Sequence, residues 1–276
     1  MEITFNKIYV IESLPDNETK TGTDLHNDII RRRLWSHKNI SSELNIINSK
    51  LEFLNLFETV KTEIKENKII PYFHFEIHGN KNGFFLKSNE QVNWIELHHR
   101  LMELNMLVKN NTWLSLATCF GAYIYSIVKP TDRSPFYGYI GPWEEIDIRD
   151  IPMSYERFFE TLLENFDIKE AVKALNLSNP HKPIDYKIYD SNSVFQRVFD
   201  KYETDFYKEP RFSERLEQIA NDGINDPRNE GLNLTREFFI DNAKGILLNE
   251  KEDIRNRYFE KFHMIDLYPE NRERFE

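Results

Sequence analysis

Short apolar runs separated by segments of helical period constrain this 276-residue chain more than any single residue does. Residues 3–11 (ITFNKIYVI), 69–77 (IIPYFHFEI) and 112–119 (TWLSLATC) are rich in β-branched and aromatic side chains, and each is bounded by turn-forming residues. That length suits a buried strand. A further short strand-like run, PFYGYIGPW, lies at 135–143. Between the runs lie helical patterns. Asp24 offers a cap for LHNDIIRRRLW, and Leu51, Leu54, Leu56, Phe57, Val60 and Ile64 recur at helical spacing. VNWIELHHRLMEL reads as another helix, FGAYIYSIV as a helix after the cysteine strand, and residues 154–177 as one long helix capped by Ser154. Strands alternating with helices predict an α/β sandwich around a mostly parallel sheet. Past about residue 192 the pattern is rich in Glu, Arg, Lys, Phe and Leu with no strand signal, so the expected division is a domain over residues 1–192 and a mainly helical C-terminal extension over 193–276.

Charge and cysteine usage narrow the function classes. With 36 Lys and Arg against 46 Asp and Glu, the formal net charge of −10 disfavours nucleic acid, which binds chiefly through phosphate neutralisation. The Arg31, Arg32, Arg33 triplet reads as a solvated helix face. No apolar run is long enough to span a bilayer, and MEITFNKIYVIESL has no basic region ahead of an apolar core, so neither membrane insertion nor secretion is expected. The one cysteine, Cys119, rules out an internal disulfide or a cysteine-cluster metal site and fits the reducing cytoplasm.

Chemistry gathers at the carboxyl ends of parallel strands, where loops share a crevice. His78 closes one expected strand and Cys119 closes another 41 residues later. Glycines come after both, Gly79 directly and Gly121 after Phe120, where the backbone can turn and expose amides. A thiol beside an imidazole makes a nucleophilic pair, and the amides of Gly79 and Cys119 are candidate oxyanion donors. His74 and Glu76 share the strand face of His78 and are candidates to orient it. The same three residues could also be read as zinc donors, but same-face neighbours lie about 7 Å apart along a strand and no H-E-x-x-H motif is present. No metal or cofactor is therefore expected.

The strings FHFEIHG and LSLATCFG resemble the two catalytic motifs of the caspase-like cysteine peptidases, most closely the bacterial CHAT branch, and GYIGPWEEIDIRD with ERFFETLL is similar to the segment beyond the cysteine strand in that branch. The likeness covers residues 69–178 well and the first strand and helix loosely. It implies a caspase-like three-layer sandwich, His78 as catalytic histidine, Cys119 as nucleophile and His74 at a family-typical position. It also implies a protein substrate and an activating protein partner or signal, often in bacterial antiviral defence or programmed cell death. The chain departs from the pattern at Ala117, where relatives carry Gln or Asp, so charge in a substrate pocket would have to come from Glu144, Glu145 and Asp147, or from Asp16 and Asp24; Trp143 is a candidate pocket wall. The rival reading is a non-catalytic caspase-like scaffold that keeps the fold for binding.

Overall fold

The computed structural model describes residues 1–182 and 184–275. Strands β1 (Lys7–Ser13), β2 (Ser41–Ile46) and β3 (Pro71–Asn80) open the chain. A small antiparallel flap of β4 (Gly83–Phe85) and β5 (Gln91–Asn93) folds back on the end of β3. After it come β6 (Trp113–Ala117), β7 (Gly138–Gly141) and β8 (Lys187–Asp190). The main sheet has the order β2-β1-β3-β6-β7-β8, parallel throughout except for the antiparallel edge strand β8. A mostly parallel sheet between helices is what the alternating pattern predicts.

Side-chain alternation divides the core. Tyr9, Ile11, Phe73, Phe75, Leu114 and Leu116 face one layer, which holds α3 (Lys50–Asn67) and α4 (Trp94–Leu107). Val10, Tyr72, Trp113 and Ala117 face the other, built from α5 (Ile151–Asn165), α6 (Ile168–Leu177) and the short helical run α1 (Thr21–Asp24) and α2 (Arg31–Leu34), joined by the π-wound Leu25–Ile30. Each buried Leu or Phe removed from water stabilises such a layer by about 1.5–3 kcal/mol. The C-terminal part comprises α7 (Ser191–Tyr207), α8 (Arg211–Ile224), α9 (Arg236–Asn249), α10 (Lys251–Phe262) and α11 (Arg272–Phe275). It is helical, as its composition suggests, but α7 is not detached: Val194, Phe195, Val198 and Phe199, with Phe262 of α10, belong to the first core layer. Only α8 and α9 have a cluster of their own, around Phe212, Leu216 and Ala243.

Several local expectations are corrected. Asp24 does not cap a helix, because the helix has already begun at Thr21; the Glu12 carboxylate accepts the Thr23 amide (2.8 Å) and so satisfies a first-turn donor from a neighbouring strand. Ser154 lies inside α5, whose start tolerates Pro152, and its hydroxyl donates to the Ser178 carbonyl. The long helix expected over 154–177 breaks at Phe166, which takes left-handed φ, and Asp167 caps α6 by accepting from the Lys169 and Glu170 amides. FGAYIYSIV forms a 3-10 segment, Gly121–Ile127, rather than an α-helix. Strands β2 and β8 give no sequence signal because each is a short edge strand only partly buried, with no apolar alternation to mark it.

Two histidines make folding sensitive to acid. His263 is fully buried among Phe195, Phe259, Phe262 and Phe275 with neither ring nitrogen hydrogen-bonded among the described residues, and burial followed by the Arg274 charge pushes its pKa down to about 3. Burial pushes His98 down to about 4, with the neighbouring His99 adding to the effect. Unfolded, both titrate near 6.5, so the unfolded state gains protons first and stability is lost as pH falls below about 6.5 toward the folded values. Denaturant midpoints should therefore fall between pH 7.5 and 5.5, by an amount worth about 2–3 kcal/mol. His98→Gln and His263→Leu should each flatten that slope, and an unchanged slope in both would contradict the assignment.

Candidate active site

The site grows from the register of two neighbouring strands. β3 and β6 pair in parallel with His74 opposite Ser115 and Glu76 opposite Ala117. β6 ends at Ala117, and Cys119 follows in the turn two residues beyond it, just as His78 follows Glu76 by two residues along β3. The close approach is visible in Gly79: a Cβ there would lie 2.8 Å from the Cys119 carbonyl oxygen and 2.9 Å from Thr118 Cγ2. Thr118 ties the two strand ends together by donating its hydroxyl to the Ile77 carbonyl. His78 is exposed and Cys119 half-buried, and both border one open cleft.

The surroundings of Cys119 push its thiol up. Burial raises the Cys119 pKa, the Ile146 amide that hydrogen-bonds the sulphur offsets this, and the Glu145 charge raises it again against the pull of Lys182. His78 bonds through Nε2 to the Glu18 carboxylate at 2.7 Å. Glu18 sits in the loop after β1, and no motif in the sequence marks it. A carboxylate on Nε2 holds the ring orientation and the proton on that nitrogen, which leaves Nδ1 as the acceptor.

His74 and Glu76 do something other than orient His78. Both are buried and bond each other, His74 Nε2 to Glu76 Oε1 at 2.9 Å, while His74 Nδ1 meets the Ser115 hydroxyl at 2.8 Å and the Thr21 hydroxyl donates to Glu76 Oε2 at 2.7 Å. Their roles face inward because the α1 start lies over Glu76 while Tyr155 and Phe159 of α5 pack on His74. The three candidate zinc donors do not converge, and among the described residues no group of three or more His, Cys, Asp or Glu is placed to hold a metal ion.

The cleft itself is walled mainly by Leu14, Ile77, Ala117, Ile146, Ile148 and Ile151, with Thr21, Glu76 and Thr118 as its polar contributors beside His78 and Cys119. Of the residues expected to shape a substrate pocket, only Ala117 lines it. Trp143 instead packs on Tyr123, Tyr125 and Tyr189 and donates its indole N–H to the Tyr189 hydroxyl. Glu144 pairs with Lys182 (3.6 Å) and its carbonyl accepts the Phe120 amide; the Glu145 carbonyl accepts from Lys182 Nζ. Asp147 is held by Arg149, whose hydrogen bonds pull its carboxyl far below the usual range. Asp16 pairs with Lys87. Asp24 borders a separate depression with Asp28 and Glu156. Glu144, Asp147 and Asp16 each pair with a local Lys or Arg, Asp24 borders a different surface, and Glu145, whose charge acts on the Cys119 thiol, does not line the cleft.

Compared with models of known protein families and with curated proteins, the sequence matches none of them. No helix among the described residues is long and apolar enough to cross a membrane.

Proposed function

We propose that the chain is a cysteine endopeptidase of the caspase-like, CHAT type, with Cys119 as nucleophile, His78 as general acid and base, and Glu18 as the residue that positions His78. The observation that supports this reading is that His78 on β3 and Cys119, just past the end of the neighbouring parallel strand β6, line one cleft. His78 Nδ1 takes the thiol proton as sulphur attacks a peptide carbonyl, and the imidazolium formed is stabilised by Glu18. The Phe120 amide is already committed to the Glu144 carbonyl, so the amides of Gly79 and Cys119 are the donors assigned to the oxyanion. His78 then protonates the leaving amine, and water attacks the acyl-enzyme with His78 again as base.

The raised thiol suits regulation. A thiol pushed up by burial depends on His78 being correctly aimed, so a partner that shifts the loop carrying Glu18 would change activity without touching either catalytic group. The surfaces of α8 and α9 are the proposed docking region for such a partner.

The test uses the single thiol. Alkylating Cys119 in the full chain, with one adduct verified by intact mass, should abolish cleavage of unfolded casein, while a chelator leaves it intact. Loss to chelator with retention after alkylation would point to a metal enzyme instead. Glu18→Gln should lower kcat about ten- to a hundredfold with KM little changed and move the pH profile, because the carboxylate acts on the imidazole and not on substrate. A KM effect alone would remove Glu18 from this role.

A further inference from the structure

The loop between β1 and α1, residues 14–20, brings Glu18 to His78 and is closed by a side chain that has no part in the chemistry. Both of its ends are fixed to the sheet. Ser13 ends β1 and donates its hydroxyl to the Ile47 carbonyl at 2.6 Å, while α1 begins where the Thr21 hydroxyl meets Glu76 and the Thr23 amide meets Glu12. That start carries the Lys20 ammonium back over the first two residues of the loop, where it donates to the Leu14 carbonyl at 2.9 Å and to the Pro15 carbonyl. The Glu18 amide donates to the same Pro15 carbonyl at 3.1 Å. One ammonium thus closes the loop into a ring, and Glu18 hangs from an acceptor that Lys20 also holds. Leu14, the other residue clasped, lines the cleft with His78 and Cys119.

The partners of Lys20 are informative. It stands two residues after Glu18 and four after Asp16, yet among the described residues it forms no ion pair with either or with any other carboxylate. Its charge is directed instead at backbone oxygens, in charge-assisted hydrogen bonds, which are stronger than neutral ones. The flap supplies a second hold, because Lys87 pairs with Asp16, but the Asp16 side chain is 82 % exposed and a pair open to water contributes little. The position of the loop therefore falls to Lys20. We propose that Lys20 is a positioning residue of the site: by clasping the Leu14 and Pro15 carbonyls it fixes the loop so that the Glu18 carboxylate meets His78 Nε2. The effect on catalysis rests on the peptidase reading, whereas the clasp itself does not.

Lys20→Met keeps the stem and removes the ammonium, and Lys20→Arg keeps a charged donor. On the full chain, Lys20→Met should lower kcat for peptide cleavage about tenfold with KM little changed, and Lys20→Arg should stay within about threefold of the unaltered protein. In a Glu18→Gln background Lys20→Met should change kcat less than about twofold, since a residue acting through Glu18 has nothing left to position. Lys87→Met, which loosens only the exposed pair, should stay within about twofold of the unaltered protein. The second readout is the pair of ring nitrogen-15 resonances of His78, assigned with His78→Ala: Lys20→Met should move them toward the positions they take in Glu18→Gln, and Lys20→Arg should leave them in place. If Lys20→Met does not fold, Lys20→Gln takes its place in both measurements. His78 resonances that stay in place without the ammonium would overturn the assignment whatever the rate, as would an unchanged kcat or losses that multiply in the double variant. Absence of cleavage by the unaltered protein, with the resonances moving as described, would overturn the peptidase reading and leave the clasp standing.

Discussion

Replacing Cys119 with alanine is expected to lower kcat/KM for peptide cleavage by about 10⁴-fold or more, and His78→Ala to do nearly the same. On the proposed reading the nucleophile and its base act as a unit, so the double variant should be scarcely worse than either single one. Independent contributions would instead multiply. Stability should barely register these changes: His78 is exposed and Cys119 only half-buried, at strand ends that Thr118 and Ile77 hold together. Progress curves and thermal melts on the three variants check both halves. Activity surviving in Cys119→Ala would remove the thiol from the chemistry.

The second large effect comes from a residue with no side chain. Gly79→Ala places a methyl 2.8 Å from the Cys119 carbonyl oxygen, closer than real side-chain carbons approach a backbone oxygen, so one strand end has to move. Thr118 cannot yield easily, since its own methyl lies 2.9 Å from the same point and its hydroxyl is bonded to Ile77. The displacement falls on the His78–Cys119 alignment. A misplacement near 1 Å costs roughly a hundredfold in rate, and overpacking costs about 1–3 kcal/mol of stability. Gly245→Ala is the matched control: it lies exposed in α9 with nothing within 4 Å of the added methyl, and helix propensity favours it by about 0.5–1 kcal/mol. Full activity in Gly79→Ala would mean that the strand ends are not tightly opposed.

How much of this is legible in the sequence depends on burial. β1, β3 and β6 are buried through most of their length and announce themselves as apolar runs, and their parallel pairing is set by the intervening helices. His78 and Cys119 can be found because both lie just past such runs and both are trailed by glycine. The partners of those residues cannot. Glu18 belongs to a polar loop whose path is set by where α1 starts, and that start is fixed by Thr21 and Thr23 bonding to Glu76 and Glu12 from other parts of the chain. Nothing local to DNETK specifies it. The reverse error arises at Trp143, Glu144 and Asp147, where order along the chain suggests a pocket wall while Tyr189, Lys182 and Arg149 hold these residues elsewhere. The helix break at Phe166 is hidden too, because Phe166 continues the apolar stripe while its backbone turns left-handed.

The central claim is that one thiol and one imidazole at adjacent strand ends cut peptide bonds. The most direct measurement incubates the full chain with an undirected peptide library and reads new termini by mass spectrometry, alongside Cys119→Ala and His78→Ala. New termini are expected from the unaltered protein and none from either variant. Identical termini from Cys119→Ala, or none from the unaltered protein under conditions where a peptidyl ketone still labels Cys119, would contradict the claim; the second result would favour a scaffold that keeps the cleft for binding.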